Sequence, residues 1–262
     1  MKDYPIKVGS MLFTMVEPHK GHEVEYNRWY ERDHFYAGCM VGAWQFAGRR
    51  FVATRDLKKL RYPAETSITP SPETGSYVAI YWVLDGHHND WNTWAVEQVN
   101  WLHANGRMFA ERDHIHTLLY DYDWHAGDPE GVGPALALDH PYAGVVSVIG
   151  DAAPSVGRDG AADWFRSEVL PDLFANTPVD QCISWTPQPL LGNAPSDVPR
   201  AEASDARFMH LYFMRERPDA VWDKTFADLG DRIRDAGVGE IVFASPWIPT
   251  IVGTDTYTDQ LW

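Results

Sequence analysis

The sequence predicts an α+β protein in which two tandem βαββαβ repeats press their sheets together within one chain. Three observations predict it. Strand-like and helix-like segments follow in the order β-α-β, β-α-β, and the whole order occurs twice. Anchor residues recur at near-constant spacing: Trp29 and Trp164 stand 135 residues apart, and Trp91 with Trp222, like Gly106 with Gly237, stand 131 apart. The segment 76–84, SYVAIYWVL, is apolar on both faces, so one face meets helices and the other needs a second sheet.

Each element follows from the local pattern. Residues 7–16, KVGSMLFTMV, read as a strand, and 25–37 as a helix with Gly38 as its stop. A strand over 43–53, bulged at Gly48, leads into a polar, proline-containing loop over 55–75 and then the strand 76–84. A helix over 90–104, closed by Asn105-Gly106, and a strand over 114–122 complete the first unit. In the second unit the strands are 142–149, 180–185, 206–214 and a last one from Glu240. Its helices are 162–174, which Pro171 should kink, and 219–236, which Gly237 ends. A Gly/Pro-rich linker over 126–139 separates residues 1–126 from 140–262. A βαββαβ unit is the ferredoxin-like plan, an antiparallel sheet with both helices on one face. Two such sheets packed face to face give an intramolecular α+β barrel.

Composition narrows the function. The chain of 262 residues carries 37 acidic against 22 basic side chains, a net charge of −15, which repels phosphate backbones and excludes nucleic acid as a partner. No apolar run approaches the ~18 residues of a membrane span, and the N-terminus lacks a signal-peptide core. Two cysteines make no disulfide framework, so a reduced cytoplasmic setting is expected, with Cys39 a small buried apolar residue. The 12 Trp, 12 Tyr and 11 Phe exceed what a core needs and point to a pocket for something flat or greasy. No G-x-G-x-x-G, P-loop or G-x-S-x-G element is present.

The string ERDH occurs at 31–34 and at 111–114, 80 residues apart and therefore out of step with the repeat. His34 falls near the end of a helix, on the face of Tyr30, where it can move a proton near neutral pH or simply cap the helix. His114 and His116 alternate along a strand and should share one face, a spacing that suits a metal, with His34, Glu31 or Glu111 as a third ligand. Two exposed histidines at a strand start are the plainer alternative, and no metal is assigned. The pairs His19/His22 and His87/His88 read as solvated loop residues. The end of the first helix and the start of the fourth strand lie at one end of such a sheet, so His34 and His114 can share a pocket.

The segment NRWYERDH (27–34) resembles the first-helix segment of EthD-like proteins in the dimeric α+β barrel superfamily, where a W-Y-x-x-x-H pattern follows the first strand. Trp29, Tyr30 and His34 match it; the proline that often follows the histidine is replaced by Phe35. The second repeat has Val169 where His34 stands. The resemblance implies a pocket between helices and sheet, and chemistry drawn from cyclases, decarboxylases, isomerases, cofactor-free oxygenases or haem enzymes. In chlorite dismutase-like relatives the haem ligand lies in the second repeat, whose helices here contain no histidine. The expectation is a cofactor-independent lyase, cyclase or isomerase acting on a small hydrophobic, oxygen-bearing, aromatic or polyketide-like substrate. His34 would move the proton, Tyr30 with His114 or His116 would hold the oxyanion, and Phe13, Trp44 and Trp82 would form apolar walls. The alternatives are a cofactor-free monooxygenase on a phenol and a non-catalytic ligand-binding barrel. Further assembly into a homo-oligomer is compatible with the superfamily.

Overall fold

The structure is a computed structural model that describes residues 5–200 and 204–262. The first repeat comprises β1 (Val8–Pro18), α1 (Glu23–Trp29) with a π-helical continuation (Tyr30–Met40), β2 (Gln45–Val52), the single turn α2 (Arg55–Lys58), β3 (Tyr77–Leu84), α3 (His88–Ala104) and β4 (Arg112–Gly127). The second comprises β5 (Gly144–Ala152), α4 (Gly157–Trp164), a π-helical turn (Phe165–Val169), α5 (Leu170–Asn176), β6 (Val179–Gln188), β7 (Arg207–Met214), α6 (Pro218–Thr225), α7 (Leu229–Asp235) and β8 (Gly239–Pro249).

Each repeat forms a four-stranded antiparallel sheet, and the two sheets close into one barrel in the order β1-β3-β2-β8-β5-β7-β6-β4. The seams between repeats are unequal. β4 pairs with β6 from Leu119–Gln188 to Gly127–Gln181, whereas β2 meets β8 only at Phe51–Pro249 and Val52–Ile248. Alternation along the strands sends Phe13, Ile80, Trp82, Tyr120, Ile149, Trp185 and Trp247 into the barrel interior, where Trp82 and Trp185 lie 4.8 Å apart. The opposite faces carry the helices. In the second repeat that layer is a separate core of Val146, Val148, Phe165, Val169, Leu173, Phe208, Tyr212 and Phe226. Among the described residues no helix is long and apolar enough to cross a membrane.

Several local expectations are corrected. Gly38 does not stop the first helix; the backbone widens to i→i+5 bonding after Trp29 and runs on to Met40, with Val41 N–H donating to the Tyr36 carbonyl (3.1 Å). The bulge in β2 lies between Gln45 and Ala47 rather than at Gly48, preceded by Trp44 at φ +73°. Pro171 opens α5, and the wide turn before it lets Leu170 N–H reach the Phe165 carbonyl ahead of the missing proline donor. The helix expected over 219–236 is two, α6 and α7, separated at Phe226–Asp228.

Candidate active site

A cavity of about 100 Å³ lies between the sheet and the helices of the first repeat. Its floor is the outward face of β1 and β4 (Leu12, Thr14, Val16, His114, Thr117, Leu119), and its walls are the π-helical segment (Tyr30, His34, Gly38) and α3 (Trp91, Asn92, Val96, Val99, His103). The roof comes from the other repeat: Leu190, Ala194, Pro195, Asp197 and Val198, in the loop after β6. The volume is below that of an engineered cavity (~150 Å³) that holds one benzene ring, which limits the enclosed part of a ligand to a single ring or less.

His34 projects into this space from the π-helical segment. Its ring stacks on Trp29 (4.5 Å, 18°) and meets the Tyr30 ring edge-on (5.1 Å, 79°). Its Nδ1 is enclosed without a hydrogen-bond partner, which leaves Nε2 as the nitrogen turned toward open space. Burial first, then the positive charge of Arg112, pushes its pKa down to about 3, so the imidazole is neutral over the physiological range. Gly38 makes room for the ring: a Cβ there would lie 2.8 Å from His34 Cε1. Gly38→Ala should therefore displace the imidazole and lower kcat/KM by up to ~10²-fold with little change in melting temperature. Unchanged kinetics would show that the ring position does not matter.

His114 reaches the same cavity because of a bulge. The β1–β4 register shifts between Met15 and Val16, which pair with His116 and His114, so Ile115 is the extra residue. His114 and His116 consequently point to opposite faces, and the expectation of an H-x-H pair on one face is overturned. His116 turns into the barrel interior, where its Nε2 meets Tyr120 Oη (2.9 Å) and its ring packs on Phe13. Arg112, which can only donate, lies with Nη2 3.3 Å from His114 Nε2; Nε2 is thus the acceptor, and Nδ1–H donates to Thr117 Oγ1 (3.0 Å). Thr117 continues the chain to Thr14 Oγ1 (2.8 Å). Burial and Arg112 together hold His114 down to about 4.

The other expected site residues are dispersed. Tyr30 lines the cavity, but its hydroxyl is bonded to Tyr81 Oη (2.9 Å) and its ring rests on the Arg50 guanidinium (4.5 Å). Phe13 and Trp82 belong to the barrel interior, on the far side of the sheet, because the period-2 alternation of β1 and β3 turns them inward. Trp44 is 43 % exposed, stacked on His87 (3.6 Å, 4°) by its left-handed backbone, and forms no wall. Glu111 binds His19 (3.0 Å), and Glu31 accepts from Gly253 N–H (2.9 Å), so neither approaches the histidine pair. Among the described residues no three His, Cys, Asp or Glu side chains converge to hold a metal. Burial pushes the Cys39 thiol up to about 12, so it is no nucleophile.

Two contributors had no sequence signal. Asn92 on α3, 5 % exposed, lines the cavity and its amide makes no hydrogen bond to protein. Asp197 in the roof reaches Arg112 Nη2 (3.2 Å) and His103 Nε2 (3.5 Å) across the mouth. The Asn92 amide is not sealed off; it opens onto the cavity, where water or a ligand can take its hydrogen bonds.

The equivalent space in the second repeat is filled. Phe165 and Val169 replace Tyr30 and His34, and β7 places His210 where β3 has Ala79. The His210 ring lies 4.5 Å from Phe165 and 4.9 Å from Phe208, its Nδ1 meets Tyr212 Oη (3.1 Å), and it is 2 % exposed. Haem, which occurs in some barrels of this kind, does not fit these residues: His210 is packed on all sides, and the first-repeat cavity is far below the roughly 300–1,000 Å³ of cofactor pockets.

No protein-family model and no curated protein matches the chain. Among solved structures it is similar to a candidate chlorite dismutase, with TM-score 0.55 and 11 % identity over 98 % of this chain and 100 % of that one. It is also similar to an anthrone oxidase-like protein, with TM-score 0.52 and 10 % identity over 96 % of this chain and 98 % of the other. A candidate monooxygenase of Fusobacterium nucleatum aligns with TM-score 0.49 and 12 % identity over 94 % and 93 %. What the first two share with this chain is the fold: an α+β barrel of ferredoxin-like repeats over nearly the whole chain.

Proposed function

We propose that the chain is an enzyme that removes a proton from a small, largely apolar, oxygen-bearing substrate and stabilises the resulting enolate or phenolate. Residues 1–126 carry the chemistry, and 140–262 supply scaffold and roof. The reading rests on the neutral, unpartnered His34 imidazole facing an apolar cavity beside the unpartnered Asn92 amide. The EthD-like Trp29, Tyr30 and His34 pattern agrees with it. Nε2 of His34 takes the proton, and the electron pair left behind moves onto the substrate oxygen. Asn92 donates to that oxygen, and Arg112 supplies positive charge nearby. A lone imidazolium is unfavourable in this cavity, which is why the free ring titrates so low. Forming it together with an oxyanion creates an ion pair instead of an isolated buried charge. Lyase, cyclase or isomerase chemistry follows if the enolate then expels a group, closes a ring or is reprotonated elsewhere.

The same first step on a phenol begins cofactor-free oxygenation, and the shared fold with an anthrone oxidase-like protein favours testing it directly. A panel of enolisable ketones incubated in D₂O should acquire deuterium at the acidic α-carbon, and His34→Gln should abolish the exchange; a phenol, whose O–H exchanges unaided, is followed by dioxygen uptake instead. Aerobic against anaerobic turnover separates the outcomes: dioxygen consumption identifies the oxygenase. Retention of ligand affinity with no exchange in the native chain would leave only a binding protein.

A further inference from the structure

The mouth of the cavity holds an arrangement that proton abstraction does not require. Three nitrogen-bearing side chains converge on one carboxylate: Arg112 Nη2 at 3.2 Å, His103 Nε2 at 3.5 Å and His114 Nε2 at 3.9 Å from Asp197 oxygens. The guanidinium is fixed independently of that carboxylate. Its Nη1 donates to the Phe109 carbonyl (2.7 Å), its plane lies against Trp29 (5.5 Å), and its side chain is 5 % exposed. Asp197 is different, being 36 % exposed on the roof loop. That loop is laced to itself by Arg200, which donates to the Leu191 (2.6 Å) and Ala194 (3.0 Å) carbonyls, and is tied to α3 by Asn100 Nδ2 on the Asn193 carbonyl (3.2 Å). A rigid buried cation therefore faces a carboxylate carried on a surface loop of the other repeat.

We propose that Arg112, with His103 beside it, is an anion subsite that takes the carboxylate of a small aromatic acid, that His114 serves it by accepting from and so orienting the guanidinium, and that Asp197 fills it as an intramolecular stand-in. The apolar body of such an acid would lie between Val16, Val96 and Val99, below His34, with Asn92 within the same cavity. An incoming carboxylate replaces the bonds Asp197 makes, so the guanidinium is never left unpaired. A neutral ligand of the same shape displaces nothing and gains nothing at Arg112. Binding of the acid releases Asp197 while the roof loop stays tied to α3 through Asn100, so occupancy is one carboxylate exchanging for another at Arg112.

This inference depends on the cavity being the substrate pocket, and it narrows the substrate to an aryl or comparably flat monocarboxylate. Calorimetric titration of the full chain with benzoate and with the neutral isostere benzamide tests it. Benzoate should bind about tenfold or more tightly than benzamide. Asp197→Asn, a change on an exposed side chain, should strengthen benzoate binding roughly two- to fivefold and leave benzamide unaffected. Arg112→Gln should bring the two ligands to similar affinity; if that variant fails to fold, Asp197→Asn decides alone. Equal affinity for both ligands in the native chain, no binding of either, or weaker benzoate binding by Asp197→Asn would overturn the subsite. Benzoate binding with the expected preference, but no His34-dependent deuterium exchange in any substrate, would overturn the proton-transfer reading and leave the subsite standing.

Discussion

His34→Ala should lower kcat/KM by roughly 10²–10⁴-fold while the chain keeps its fold and its melting temperature to within a few degrees. The size of the kinetic loss follows from the role assigned to the ring: His34 Nε2 faces the cavity from the π-helical segment, whereas His103 on α3 is turned to Asp197 and His114 to Arg112. The small structural effect follows from what the ring touches. His34 makes no hydrogen bond to protein, so its loss leaves no partner orphaned, and only its stacking on Trp29 and Tyr30 disappears. Thermal melting beside steady-state kinetics separates the two effects. A His34→Ala variant with native turnover would remove the ring from the chemistry, and a native chain that binds ligand without turning any over would be a ligand-binding barrel instead of an enzyme. Because burial and Arg112 hold the imidazole down to about 3, the acid limb of the native pH profile should lie well below the usual histidine value of 6.5.

Stability to urea should fall steeply as pH drops from about 6.5 toward 4. Burial pushes His116 down to about 4 and His210 to about 3, so the folded chain keeps both rings neutral where the unfolded chain protonates them. Within that window the unfolded state binds more protons, and each pH unit costs up to ~1.4 kcal/mol per ring. Both rings are interior, 4 % and 2 % exposed, so solvent screening relieves little of this. His114, held at about 4, adds to the loss in the same direction. Glu17, whose carboxyl burial raises, acts oppositely, but only in the carboxylate range at the acid end of the window. Urea midpoints measured at half-unit pH intervals give the slope directly. Midpoints that stay level down to pH 5 would mean that these rings are not buried neutral.

The fold was legible because its signals are repeated and large. Trp29/Trp164 and Trp91/Trp222 mark the same helices in both repeats, and the doubly apolar β3 required the second sheet that β7 and its neighbours provide. The placement of His34 and His114 at one end of the sheet followed from topology alone. What was not legible depends on single-residue shifts of backbone register. One inserted residue, Ile115, sends His114 and His116 to opposite faces, and periodicity has no means of showing it. The turn from α-helical to π-helical bonding after Trp29 carries the helix past a glycine that sequence rules read as its end. Assigning Phe13 and Trp82 to the pocket mistook which side of β1 and β3 meets the helices; both faces are apolar, so composition could not choose. Asn92 and Asp197 were invisible for another reason. Each matters only through residues distant in sequence, and Asp197 acts on a pocket whose floor and helical walls precede it by more than a strand-helix-strand unit.

The unequal seams of the barrel give it a direction in which to come apart. Along β4–β6 the two repeats are joined by a ladder that runs from Leu119 to Gly127, while β2–β8 holds by two register pairs, helped by the Tyr62–Ala244 bridge and by Arg61 reaching Ser245 Oγ (2.9 Å). A closed cylinder with one long and one short join behaves like a scroll with a clasp. Strain or heat should part the clasp first, with the β4–β6 edge as the spine about which the sheet unrolls. The cavity sits beside β1 and β4, next to that spine, and so belongs to the part of the wall that is last to open.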